Sequence, residues 1–195
     1  MTITGFTGTQ IGTTKPQFTS FFKVYKELSV KEFHHGDCIG SDAEAHVVAR
    51  THGSWIVIHP PSSFSKRAFC KGDVYRKPKP YLERNHDIVA DTELMIATPI
   101  QMAEVRRSGT WATIRYTRIL DREIFIIYPG GSIIYEVTLC AVCGLPRRRC
   151  TCEFPFPEVD SKTGEYIPRP QGGMFISGER KSRKIVVSEI RMLVR

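Results

Sequence analysis

One pattern constrains this chain more than any other. Short β-branched or apolar runs, each ending in small residues, alternate with amphipathic stretches of helical spacing along the first 130 or so residues. Thr2–Thr7 is a strand-like run that stops at Gly8, and Pro16 to Leu28 then sets Phe18, Phe21, Phe22, Tyr25 and Leu28 at helical spacing. Val30–His35 reads as a second strand and Gly36–Gly40 as a turn. Ser41-Asp-Ala-Glu44 reads as a capping box opening a helix to about His52, which Gly53 closes. Trp55–His59 is a third strand before Pro60-Pro61. Tyr81–Asp91 then reads as helix, Glu93–Thr98 as strand, Thr110–Leu120 as helix and Glu123–Tyr128 as strand.

Strands joined through helices of this length pair in parallel, because the crossover returns the chain to the same end of the sheet. The expected fold is therefore α/β: a Rossmann-like parallel sheet of about five strands with flanking helices. It should occupy residues 1–131, with a small C-terminal appendage over 132–195. Within the first unit the polar stretch Ser62–Lys79 carries Lys66, Arg67, Lys71, Arg76, Lys77 and Lys79. A loop that long is either a ligand-covering flap or a loose insert, and both readings stay open.

The composition allows such a core, since 41% of the 195 residues are hydrophobic and 25% charged. No run approaches the ~20 consecutive apolar residues of a membrane span, and MTITGFTGTQ lacks the basic-then-apolar order of a secretory signal. A cytoplasmic protein without a membrane partner is the expectation. The net charge of +8 is concentrated late, because residues 140–195 hold 11 Lys/Arg against 6 Asp/Glu. Such an excess either attracts phosphates or nucleic acid or is simply a solvated face.

In parallel sheets ligands bind beyond the carboxyl ends of the strands, so three loops are candidates. Gly5-Phe-Thr7-Gly8-Thr9 offers small residues that let backbone amides approach a ligand, and hydroxyls that can donate; it also reads as a plain tight turn. Gly36-Asp37-Cys38-Ile39-Gly40-Ser41-Asp42 feeds a helix whose free N–H groups favour an anion, while Asp37 or Asp42 can take a ribose hydroxyl. Arg107-Ser108-Gly109-Thr110 repeats the small-residue turn before a helix, with a cation beside it. His34 and His35 read as structural strand-end histidines. Cys38 is either an activated thiol at a helix N-terminus or a small buried residue.

The order of these segments, together with Arg84-Asn85, Ala90-Asp91 and Ser108-Gly-Thr-Trp-Ala-Thr-Ile-Arg-Tyr116, resembles the SLOG superfamily over about 130 residues. That group includes the Smf/DprA DNA-processing proteins, the Lonely Guy phosphoribohydrolases and YspA-like proteins. The resemblance implies a Rossmann-like fold that binds nucleotides or nucleotide-derived ligands. It places Gly5, Thr7, Gly36, Gly40, Asp42, Arg84, Asn85, Ser108, Gly109 and Thr110 around the pocket. It also implies a bacterial or phage setting, defence signalling included, and pairing into a homo-oligomer.

The sequence departs from the Lonely Guy signature Pro-Gly-Gly-x-Gly-Thr-x-x-Glu, whose glutamate works at the ribosyl bond. Here Thr113 stands in that glutamate's place. A threonine supplies no carboxylate to stabilise an oxocarbenium-like centre or activate water, so binding without turnover is the simpler expectation. The alternatives are a hydrolase of N-glycosidic or phosphate bonds using Asp37, Asp42 or Glu104, and a DNA-binding protein of the DNA-processing type.

A second signal is independent of the fold. Cys140-x-x-Cys143-x6-Cys150-x-Cys152 has four thiols close enough to close one tetrahedral, structural Zn(II) site, with a disulfide or free thiols as the alternative. Arg147, Arg148 and Arg149 would lie at the tip of that knuckle, suited to phosphates. Residues 153–183 read as a linker and Lys184–Val194 as a final strand.

Overall fold

The computed structural model describes residues 2–140, 145 and 182–187. Eight strands and four helices follow in the order β1 (Thr2–Gly8), α1 (Lys15–Leu28), β2 (Val30–His35), α2 (Ser41–Thr51), β3 (Trp55–Ile58), β4 (Val74–Tyr75), α3 (Tyr81–Asp91), β5 (Leu94–Thr98), α4 (Gly109–Ile119), β6 (Glu123–Ile127), β7 (Ile133–Thr138) and β8 (Ser182–Val186). They form one sheet in the order β4-β3-β2-β1-β5-β6-β7-β8. Pairing is parallel from β4 to β6 and antiparallel at β6–β7 and β7–β8.

The Rossmann-like α/β expectation holds, but the count of about five strands is too low. Beyond residue 131 the run Ile133–Thr138 turns back at Gly130-Gly131 and pairs with β6, burying Ile133, Tyr135 and Val137. The later alternating segment contributes β8 at Ser182–Val186, so the sheet gains an antiparallel edge. A further strand, β4, lies inside the polar stretch 62–79.

Alternate residues of the central strands feed two cores, which is why those strands read as continuous apolar runs. Phe6, Phe33, Ile56, Ile96 and Phe125 pack with Phe21, Tyr25 and Leu28 of α1 and with Ala45 and Val48 of α2. Met95, Ala97, Ile124 and Ile126 pack on the other face with Ile88 and Val89 of α3 and with Trp111 and Ile114 of α4. No helix among the described residues is long and apolar enough to cross a membrane.

The helix starts differ from expectation in an instructive way. The capping box forms at α1, where Thr14 Oγ1 accepts from Gln17 N (3.2 Å) and Gln17 Oε1 accepts from Thr14 N (3.4 Å). At α2 the N-cap is Gly40 with no side-chain bond, and Ser41 is the first helical residue. Ser41 Oγ instead accepts from Thr9 N at 3.2 Å, and the Glu44 carboxylate takes Thr13 N (2.8 Å) and Thr13 Oγ1 (2.7 Å). Both side chains thus tie α2 to the loop after β1. Gly40 has φ 83°, and a Cβ there would sit 2.5 Å from the Gln10 carbonyl carbon, so only glycine fits.

Candidate functional site

β1 lies between β2 and β5, and its two neighbours are reached by crossovers on opposite sides. This is the topological switch point of the sheet, where the loops at the carboxyl ends of β1 and β5 are expected to part and ligands to bind. Thr98 ends β5 beside Gly8, the last residue of β1. α4 begins directly above: Thr110 Oγ1 donates to the Gly8 carbonyl at 2.8 Å. Gly8 has no room for a side chain, since a Cβ would meet Ser41 Cβ at 2.4 Å and Thr98 Oγ1 at 2.5 Å. Thr9 is held by Ser41 and by its own hydroxyl bond to the Gly12 carbonyl (2.9 Å).

This end of the molecule is built from backbone and hydroxyls. Ser108 caps α4 by accepting from Trp111 N (3.3 Å), while the N–H groups of Gly109 and Thr110 precede any carbonyl four residues back. A Cβ on Gly109 would meet nothing within 4 Å. The Thr98 hydroxyl is fully buried and finds no hydrogen-bond partner among the described residues. Arg107, exposed on the approach to α4, has no ion-pair partner among them. An electropositive helix start with open space in front and an unpartnered hydroxyl beside it suits an anionic oxygen.

The charged candidates are placed otherwise. Asp42 Oδ2 accepts from Gly36 N and Cys38 N, both at 3.1 Å, and lies 3.9 Å from Arg84 Nη1. Burial pushes its carboxyl up to about 6, with Arg84 and the two amides opposing. The Arg84 guanidinium lies across Gly36, where a Cβ would sit 1.1 Å from Nη1; Nη2 donates to Cys38 Sγ at 3.1 Å. Burial, and next the Asp42 charge, raise the Cys38 thiol, so it is a small buried residue and not an activated nucleophile.

Asp37, fully buried at φ 56°, accepts from Arg67 Nε (2.6 Å) and Cys70 N (2.8 Å). Together with Ala68 N on the Asp37 carbonyl (2.8 Å) and Ile39 N on the Lys66 carbonyl (3.0 Å), these bonds hold the stretch 62–79 against the β2–α2 turn. The loose-insert reading of that stretch does not describe it.

Gly5 lies in mid-strand beneath α3, and the space of its missing Cβ is taken by Met95 and Ile88. Thr7 is buried in the same strand. Asn85 Nδ2 donates to Thr113 Oγ1 at 2.8 Å, and Thr113 Oγ1 donates to the Gly109 carbonyl at 3.0 Å, so this pair joins α3 to α4. Glu104 is held by Arg115 (3.2 Å) and Arg118 (2.9 Å). The structure thus brings Gly8, Thr9, Ser41, Ser108, Gly109 and Thr110 together, with Gly36, Asp37, Asp42 and Arg84 in an adjoining self-paired cluster. Thr98 is the contributor that sequence reasoning passed over. As the last residue of a β5 strand that ends where β1 ends, it was discoverable from strand alignment.

Among the described residues two groups of side chains could hold a metal: His35, His46 and Cys70, and His34, His59 and Asp91. Of the four-cysteine motif, Cys140 is buried, and its N–H donates to the Leu145 carbonyl at 2.9 Å. Cys143, Cys150 and Cys152 lie outside the described residues.

No family profile matches the chain, and no curated protein matches it. Among solved structures it is similar to a molybdenum cofactor binding protein from the phototrophic bacterium Rippkaea orientalis. That match has TM-score 0.52 at 14% identity and covers 65% of this chain and 76% of that one. It is also similar to DNA processing protein A (DprA) from Streptococcus pneumoniae, with TM-score 0.51 at 20% identity, covering 65% of this chain and half of that one. At such identities the likeness is one of fold alone, and it bears out the Rossmann-like architecture expected from the sequence.

Proposed function

We propose that the opening between β1 and β5 binds a nucleotide or nucleotide-derived phosphorylated ligand, and that the protein senses or sequesters it. The observation that carries this reading is the open first turn of α4 at Gly109-Thr110, set beside Gly8 and the unpartnered buried hydroxyl of Thr98. A phosphate there accepts from two free amides, gains from the helix dipole and completes the hydroxyl's bonding. The solved structures of similar fold, one named for a cofactor it binds and the other for DNA processing, are compatible with a ligand-binding role.

Turnover is the weaker reading. Asp37, Asp42 and Glu104, the carboxylates available for acid–base work, are each engaged by an arginine or by backbone amides. The chain divides in function at about residue 131. Residues before it supply the ligand-facing loops, and the basic extension 132–195 carries a structural Zn(II) on Cys140, Cys143, Cys150 and Cys152. Arg147–Arg149 on that knuckle would contact a partner, nucleic acid included, and the protein works as a cytoplasmic homo-oligomer in a bacterial or phage setting.

Calorimetric titration of the full chain with nucleoside mono-, di- and cyclic phosphates, nicotinamide dinucleotides and the matching nucleosides tests the reading. Phosphate-bearing compounds should bind and remain chemically intact, while nucleosides should not. Binding of nucleosides and phosphates alike would remove the phosphate site, and product formation would move the protein to the hydrolases.

A further inference from the structure

Beneath the last turn of α3, away from the Gly109 opening, three residues far apart in the chain converge. His34 comes from β2, His59 directly follows β3, and Asp91 ends α3. His34 Nδ1 and His59 Nε2 are 2.9 Å apart, His59 Nε2 and Asp91 Oδ2 are 4.0 Å apart, and all three donor atoms lie within 4.8 Å of one another. Both imidazoles are 1% exposed, whereas the Asp91 side chain is 36% exposed, so the cluster is open on the carboxylate's side.

Ligands bonded tetrahedrally to zinc at ~2.0–2.2 Å are roughly 3.4 Å apart, so small side-chain rotations bring these donors into place. The surroundings of His34 favour ligation. Glu32 Oε1 lies 2.7 Å from His34 Nε2, so the ring donates its proton outward and presents the Nδ1 lone pair to the cluster. Carboxylates orient metal-bound histidines in this way. With the His34 proton on Nε2, His59 Nε2 donates to His34 Nδ1 in the metal-free protein, and because His59 Nδ1 finds no partner among the described residues, the ring proton is free to move there when a metal takes Nε2.

The His35–His46–Cys70 group fails the same examination. The Asp37 N–H donates to His35 Nδ1 (3.1 Å), which leaves the ring proton on Nε2, the atom that would have to ligate.

We propose that His34, His59 and Asp91 bind a divalent transition-metal ion of the zinc class, with Glu32 orienting His34 and water completing the coordination sphere. The ion ties the ends of β2 and β3 to α3. It competes for Asp91 with Arg76, whose Nη2 is 3.0 Å from Oδ2 and which is half exposed and able to swing away. With Asp91 its only charged ligand, and with the Arg76, Lys79 and Arg84 cations facing His59, the site should bind more weakly than four thiolates would.

Cobalt(II) titration of the metal-stripped full-length chain, followed by visible and near-ultraviolet absorption, tests this independently of the four-cysteine motif. Only cysteine ligation adds a thiolate charge-transfer band. The equivalent taken up after the tighter four-thiolate site has filled should add visible absorption without further growth of that band. Asp91→Asn and His59→Gln should abolish this absorption, and Glu32→Gln should weaken binding roughly tenfold. Asp91→Asn alters a partly exposed position, so the test stands even if His59→Gln fails to fold. Absorption that appears only with the thiolate band, or that Asp91→Asn leaves unchanged, overturns the site.

Discussion

The carboxyl edge of the sheet holds two neighbouring regions made on different principles. Around Asp37, Asp42, Arg84 and Arg67 the charges answer one another, and every carboxylate there already accepts from amides or an arginine. Around Gly8, Thr98 and Gly109 there are few charges, yet a buried hydroxyl finds no partner among the described residues and the first turn of α4 faces open space. Titratable residues are the ones a reader of the sequence chooses first. Here they are consumed in holding the β2–α2 turn and the stretch 62–79, and the proposed ligand site falls instead to small residues that hold back nothing but backbone.

The largest effect should come from Gly109→Glu. The new side chain has free space, and a carboxylate in the first turn of a helix stabilises it by about 0.3–1 kcal/mol, so thermal unfolding should be unchanged or slightly raised. Affinity for the phosphorylated ligand should fall roughly a hundredfold or more, because like charges then meet. Retained affinity in calorimetry would break the contrast between the two regions.

Arg84→Ala should do the reverse. It strips the cation from a buried carboxylate and empties the space over Gly36, costing about 3 kcal/mol in denaturant unfolding. Where the fold persists, affinity should change little. A variant of normal stability and lost affinity would instead make Arg84 a ligand residue.

Thr98→Val sharpens the comparison at smaller scale. Removing an unpartnered buried hydroxyl should raise the stability of the free protein by about 1 kcal/mol while lowering ligand affinity several-fold. Equal affinity in both forms would take Thr98 out of the site.

Asp42→Asn is visible mainly in its pH dependence. The folded carboxyl is raised to about 6 from an ordinary 3.8, so the folded state binds the proton more tightly and loses stability as pH rises through that interval. Asparagine keeps an acceptor for Gly36 N and Cys38 N without the charge. The melting temperature of Asp42→Asn relative to wild type should therefore climb between pH 4 and pH 6 and then level off; a flat difference would mean the carboxylate is not strained by burial.

Much of the fold was legible because the strand runs and helix stripes before Tyr128 are long and unambiguous. Two things misled. Ser41-x-x-Glu44 imitates a capping box, but Gly40 before it supplies a left-handed turn that moves the helix start, and both side chains serve the β1 loop instead. Ile133–Thr138 follows Pro129-Gly-Gly131 and so read as the start of an appendage, although its alternate residues bury against β6. In the candidate site the glycines and Ser108–Thr110 were readable as turns before helices. That Asp37 would be taken by Arg67 depends on a contact across thirty residues that no local pattern encodes. The His34–His59–Asp91 cluster was equally hidden, since it exists only once β2, β3 and α3 have met.

Native mass spectrometry of the full-length protein and of Gly109→Glu, both purified from the natural host, tests the central claim most directly when the released small molecules are then identified. The account predicts an intact phosphorylated, nucleotide-class compound on the wild type and none on the variant. Wild-type protein that carries no such compound, and takes up none when incubated with the host's nucleotide extract, would contradict it.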